Sequence, residues 1–294
     1  MTEDLDTLLT ALYVEIDDHV ALPRRGRGQR PRLTDAELVC LAVAQVLLGF
    51  DSEHRWIRFA YCRLGHLFRY LPGQPGYHKR LKAAAPLLAA AIGHLARSSP
   101  SWCDSLRLLD ATPVPCAASR ETVKRSGIAG GYGFCAAHTR YYWGLKLYLL
   151  CAPDGMPITW CLADPKIGER EVCLDLLTMA AETGLLAPGT TILADKNLAG
   201  RQIEAQIAAL GVHLLRPDRR DEPHRHGNLG GFRQWIESVY DSLKGQLGLE
   251  RHGAYTTHGV FTRIAQRLLA LAAAIWHNWA TGAPDKRSLI AYDH

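Results

Sequence analysis

A chain of 294 residues that is 48% apolar and 21% charged can bury one large core or two, which excludes disorder as its main state. Eight scattered cysteines without a Cys-x-x-Cys pair, a start ("MTEDLDTLL") lacking the regions of a signal peptide, and apolar runs such as "LLALAAAIW" too short for a bilayer exclude a zinc module, a secreted scaffold and a membrane protein. The net charge of +5 is mild as a total, so the expectation is a soluble, cytoplasmic protein whose partners are set by local charge.

That local charge is uneven. The first eighteen residues are acidic (Glu3, Asp4, Asp6, Glu15, Asp17, Asp18), whereas "PRRGRGQRPR" carries Arg24, Arg25, Arg27, Arg30 and Arg32 and no acid. Such a run suits phosphate contact, and equally a solvated linker. Nearly everything up to residue 99 then reads as helix. "LTDAELVCLAVAQVLL" opens with Thr34 as N-cap and Glu37 three residues on, a capping box, with Leu33 and Leu38 placed for a hydrophobic staple. Gly49 ends that helix and Ser52 caps the next, "EHRWIRFAYCRL"; "YHKRLKAAAPLLAAAIGHLA" adds a helical segment interrupted at Pro86. Two short helices around a tight turn with Arg and Lys nearby are compatible with helix-turn-helix DNA binding, and with any compact helical bundle.

The pattern changes at "SSPSWCDS". "SLRLLD" is a short apolar strand ending in Asp110; "YYWGLKLYLLCA" and "MPITWCLA" flank a "PDG" turn as a hairpin; "EREVCLDLLTMAAETG" is a helix with Gly184 past its end. "TTILAD" is a buried strand ending in Asp195, "AGRQIEAQIAALG" a helix and "VHLLRP" a last strand. Early strands followed by strands alternating with helices predict an α/β fold, a mixed five-stranded sheet with helices packed on it. After a basic loop, "FRQWIESVYDSLKGQ" carries an apolar stripe of Phe232, Ile236, Val239, Leu243 and Leu247. Arg233, Glu237, Tyr240 and Lys244 repeat that spacing one position on, at the margin of the buried face.

Asp110, Asp195 and Glu237 each have a plain explanation in isolation: a strand-end turn for the aspartates, an i, i+4 pair with Arg233 for the glutamate. Brought together at one sheet edge, three carboxylates repel one another unless cations are bound. Hard divalent ions with oxygen ligands, Mg²⁺ or Mn²⁺, meet that need, and a pair of them supports phosphodiester chemistry.

With these residues the chain resembles the DDE transposases of bacterial insertion sequences, whose catalytic core is RNase H-like. Those enzymes carry an Asp after the first strand, an Asp after the fourth and a Glu on a later helix, the places of Asp110, Asp195 and Glu237. One branch adds a Tyr-x-x-Arg-x-x-x-Glu-x-x-x-x-x-x-Lys signature, matched by Arg233, Glu237 and Lys244; Gly230 stands at the Tyr position, so no role passes to it. "DATPVP" resembles the family's Asp-Ser/Ala-Thr-Pro stretch, and "ADKN" its Asp-Lys-Gly-Tyr stretch. The resemblance implies a helical DNA-binding region over 1–99, an RNase H-like catalytic domain over 100–282 and a tail over 283–294. It implies that Asp110, Asp195 and Glu237 hold two Mg²⁺ (or Mn²⁺) ions for strand cleavage and transfer. Arg233, Lys244, Lys196 and the arginines between 24 and 32 would contact DNA, and a homodimer on the element's ends, nucleoid-associated and without a membrane, is expected. An RNase H-like nuclease and a non-catalytic DNA-binding copy are the rival readings.

Overall fold

The computed structural model describes residues 3–20, 31–135, 139–219, 222–223 and 229–292. Contacts divide the chain into two compact units, the first made of residues 1–99, 243–254 and 258–294, the second of residues 100–242 and 255–257.

The first unit is helical: α1 (Glu3–His19), α2 (Asp35–Leu47), α3 (Glu53–Arg63), α4 (Gln74–Ala83), α5 (Ala85–Ser98) and, from the far end of the chain, a helix over Thr257–Ala280. Thr34 caps α2 as its sequence predicts, its hydroxyl accepting from the Glu37 N–H at 3.0 Å while Glu37 accepts from the Thr34 N–H at 2.6 Å. Ser52 likewise caps α3. Gly49, at φ 68°, takes the left-handed conformation that lets the chain leave α2. α2 is buried on every side from Ala36 to Leu47, the mark of a core helix. The helix over 257–280 packs with it: the Gln266 amide donates to the Ala42 carbonyl at 2.9 Å and to Gln45 at 3.0 Å. At 24 residues this helix is long and apolar enough to cross a membrane by length and composition, where the sequence had shown only shorter runs, but 78% of its most apolar stretch is buried in the protein. From His258 onward it lies in the first unit. Residues 283–292, expected as a tail, dock on it through Tyr292, which is 2% exposed and donates to Asn278 at 2.6 Å.

The second unit runs β1 (Leu106–Ala117), α6 (Arg120–Arg125), β2 (Gly131–Cys135), β3 (Arg140–Cys151), β4 (Pro157–Ala163), α7 (Glu169–Glu182), β5 (Thr191–Leu193), α8 (Arg201–Ala209), β6 (His213–Leu215) and α9 (Gly230–Asp241), so that the helix over 257–280 is α10. The sheet order is β2-β3-β1-β5-β6, with β4 on the same edge of β3 as β2. β1 is antiparallel to β3, and parallel to β5, which is parallel to β6. This order, with helices packed on the sheet, is the RNase H-like α/β fold. The sheet has six strands where the sequence predicts five. The added strand is β2, whose Gly131 and Gly133 depress the strand signal but are required by space: a Cβ on Gly133 would lie 2.7 Å from Pro165 and from the Tyr142 ring.

β1 is also longer than predicted. "SLRLLD" reads as a short strand ending in Asp110, yet β1 continues through Pro113 and Pro115 to Ala117, which places Asp110 inside the strand. β5 pairs only with Leu106–Leu108. Beyond that point the edge of β1 away from β3 makes no ladder with β5, and prolines at alternate positions forfeit no bond there.

Candidate active site

The parallel register of β1 and β5 aligns Leu108 with Leu193. Asp110 lies two residues past this pair within β1 and Asp195 two residues past the end of β5, and both line one cleft. Both are half-buried. β5 ends at Leu193, so Asp195 sits where the chain leaves the sheet; its carboxylate accepts from the Lys196 N–H at 2.8 Å and caps the 3-10 turn Lys196–Leu198. One cleft is lined by Leu108, Leu109, Asp110, Leu193, Ala194, Asp195 and, from α9, Ile236.

α9 packs on this face through Ile236, Val239 and Tyr240, which are 6%, 0% and 6% exposed. Tyr240 does more than fill space: its hydroxyl donates to the main-chain carbonyl of Asp110 at 2.6 Å. Burial first, and then the charge of Asp110, push this phenol well above its ordinary pKa, so it stays a protonated donor. The sequence places Tyr240 on a marginal stripe; the structure buries it. The available signal was its position three residues after Glu237, one helical turn along the same side.

Glu237 directly follows Ile236 and precedes Tyr240 by one turn, which puts it at the border of the seated stripe, with its side chain exposed. Among the described residues, no three His, Cys, Asp or Glu side chains are gathered closely enough to hold a metal. Asp110 and Asp195 line the same cleft, and Glu237 follows Ile236, the α9 residue that lines it. By chemistry the three candidates are carboxylates only, the oxygen donors that a hard divalent ion takes.

The predicted cations separate. Lys196 is exposed next to Asp195. Arg233 lies in α9, and its side chain is outside the described residues. Lys244 does not continue the stripe of Glu237: α9 ends at Asp241, the winding changes to a π-turn over Ser242–Gln246, and Lys244 pairs with Glu250 at 3.8 Å in the first unit. Its alignment with Glu237 presumed unbroken α-helix, and a π-turn resets the phase. Arg32 is exposed with its guanidinium 4.3 Å from the Tyr70 ring centre; Arg24, Arg25, Arg27 and Arg30 lie outside the described residues.

α7 supplies Glu169, paired with Lys146 of β3 at 2.9 Å. Burial, then the charge of Glu169, raises the Tyr148 phenol beside them. All eight cysteines are free thiols.

A protein-family model described as the transposase DDE domain matches residues 101–273, more than half of the chain. The chain belongs to the DDE transposase family. The match starts just before β1 and runs into α10, so the DDE domain takes in both aspartates, α9 and the first turns of the helix that completes the first unit. No curated protein matches the chain.

Proposed function

We propose that this transposase binds the ends of an insertion sequence and catalyses metal-dependent cleavage and transfer of DNA strands. The observation that supports the reading is the cleft that Asp110 and Asp195 line together with Ile236 of α9. In this reading Asp110, Asp195 and Glu237 hold two Mg²⁺ or Mn²⁺ ions. When bound, such ions add positive charge at the phosphodiester and lower the pKa of an attacking water or 3′-hydroxyl.

The chain's own residues do the positioning. Asp110 would offer its oxygens from β1 and Asp195 from the turn after β5, where the Lys196 N–H fixes one oxygen of Asp195. The Tyr240 hydroxyl holds α9 on β1 at the main chain of Asp110 itself, so the helix that carries Glu237 is referenced to the first carboxylate. In this reading Lys196 and Arg233 contact DNA phosphates, Arg by its two-pronged guanidinium and Lys as a point charge. Water attacks first, and the 3′-hydroxyl it frees attacks the target strand, with no covalent enzyme–DNA species. Two DNA ends call for a homodimer on DNA, and the protein works in the cytoplasm at the nucleoid.

The test is cleavage and strand transfer on duplexes bearing the repeats that flank the gene, in Mg²⁺. Asp110→Asn, Asp195→Asn and Glu237→Gln should each lower both activities by more than ~100-fold, beyond what loss of a group merely supporting a metal ligand does. Cleavage at the wild-type rate in these variants would remove the roles assigned. Hydrolysis without joining to a target would make the protein a plain nuclease.

A further inference from the structure

We infer that α3, with α4 beside it, is the element of the first unit that lies on duplex DNA, with Arg55 and Arg58 entering the major groove. This rests on the proposed transposase function and assigns which surface reads the DNA.

From Ser52 to Cys103 the chain has one carboxylate, Glu53, against eight cations: Arg55, Arg58, Arg63, Arg69, Lys79, Arg80, Lys82 and Arg97. The structure removes even that carboxylate from the surface. Glu53 is 8% exposed, ion-paired with Arg263 and held 3.0 Å from the His78 ring. α3 buries Trp56, Ile57 and Ala60, and at 100° per residue the opposite crest is Arg58, Cys62 and Arg55, flanked by His54 and Tyr61. All five are exposed. α4 in turn buries Tyr77 and Leu81 and exposes Lys79 and Lys82. Among the described residues no ion pair involves Arg55, Arg58, Lys79 or Lys82. The Tyr61 hydroxyl donates to the Leu71 carbonyl and so ties the connection between the two helices to α3.

A surface bearing cations of two kinds and no exposed carboxylate from its own helices complements a polyanion. Its shape narrows the choice. α3 follows the buried α2 after a short turn at Gly49 and begins at the cap Ser52, and its first two turns carry the arginines. A single helix presented by its N-terminal residues fits the major groove. Arginine there can contact a guanine edge with two bonds, while lysines on the neighbouring helix suit the phosphates alongside. Arg32, with its guanidinium 4.3 Å from the Tyr70 ring centre, and Arg69 are also exposed.

Binding of the full chain, in EDTA so that no divalent ion contributes, is measured on a duplex carrying the flanking repeat and on a shuffled duplex of the same composition. Arg55→Ala and Arg58→Ala should weaken binding to the repeat about 5- to 100-fold and reduce its preference over the shuffled duplex. Arg58→Lys should keep the affinity for the shuffled duplex and lose the preference. The double variant Lys79→Ala/Lys82→Ala should weaken both duplexes alike and reduce the slope of log K against log salt by about 1.8, roughly 0.9 per phosphate contact. Arg97→Ala on α5 should change neither. Wild-type preference kept in both arginine variants overturns the inference while leaving the proposed function standing; so does an equal loss from Arg97→Ala, which would make the effect one of bulk charge. A wild-type chain that binds neither duplex overturns both.

Discussion

Tyr240→Phe removes one hydroxyl and leaves the buried ring of α9 in place. The bond lost is the 2.6 Å donation to the Asp110 carbonyl, made by a side chain only 6% exposed. A neutral hydrogen bond of this kind contributes about 1 kcal/mol net, within a range of about 0.5–1.5, equivalent to roughly a fivefold change in an equilibrium constant. Because Phe keeps the packing, that factor falls on the seating of α9 and not on the core as a whole. Two readouts separate the steps. Amide exchange in α9 proceeds through the unseated helix, so it should speed up about fivefold while exchange in β1, β3 and α7 is unchanged. Mg²⁺-dependent cleavage uses the seated helix, so it should fall by no more than that factor, with DNA affinity unaltered. Unchanged exchange in α9 would show that the hydroxyl does not hold the helix. A cleavage loss as deep as that of Glu237→Gln would show that it acts in the chemistry itself.

Two further variants probe the scaffold. A Cβ on Gly144 would run into the Val114 carbonyl and lie 2.9 Å from the Cys116 nitrogen, beside the bulge of β1 between Pro115 and Ala117. Gly144→Ala should therefore destabilise by about 3 kcal/mol or more, seen as a lowered melting temperature and poor soluble yield; an unchanged melt would refute the close approach of β1 and β3. His277 is held below its ordinary pKa of 6.5 by burial, and its Nδ1 lies 2.8 Å from the Tyr292 hydroxyl. The folded chain thus refuses a proton that the unfolded chain accepts. The stability from the neutral ring is complete above about pH 6.5 and declines as pH falls below it. His277→Gln should melt with a shallower loss between pH 6.5 and 5 than the wild type, and parallel curves would exclude the assignment.

How much of this was legible in the sequence depends on whether a signal is local. The capping box at Thr34 and Glu37 and the cap at Ser52 are complete within four residues, and both appear in the structure. So does the hairpin of β3 and β4 around its Pro-Asp-Gly turn. The adjacency of Asp110 and Asp195 was readable only by supposing that two buried strands pair, because no local feature encodes a parallel register. β2 was not read, since its glycines answer to Tyr142 and Pro165 rather than to strand propensity. The extension of β1 through two prolines depends on which of its edges β5 covers. The phase of Lys244 failed because the winding change at Ser242 has no mark in the apolar spacing, which continues through Leu243 and Leu247.

The discontinuity of the first unit bears on how the molecule comes into being. The buried row Ile264, Leu268, Leu271 and Ile275 of α10 leaves the ribosome only after the entire sheet has been made, since domains emerge N-terminal part first. Until then α2 has an apolar side with nothing to rest on. A fragment stopped near residue 99 would keep that side open permanently, because the helical unit draws on segments from both before and after the sheet.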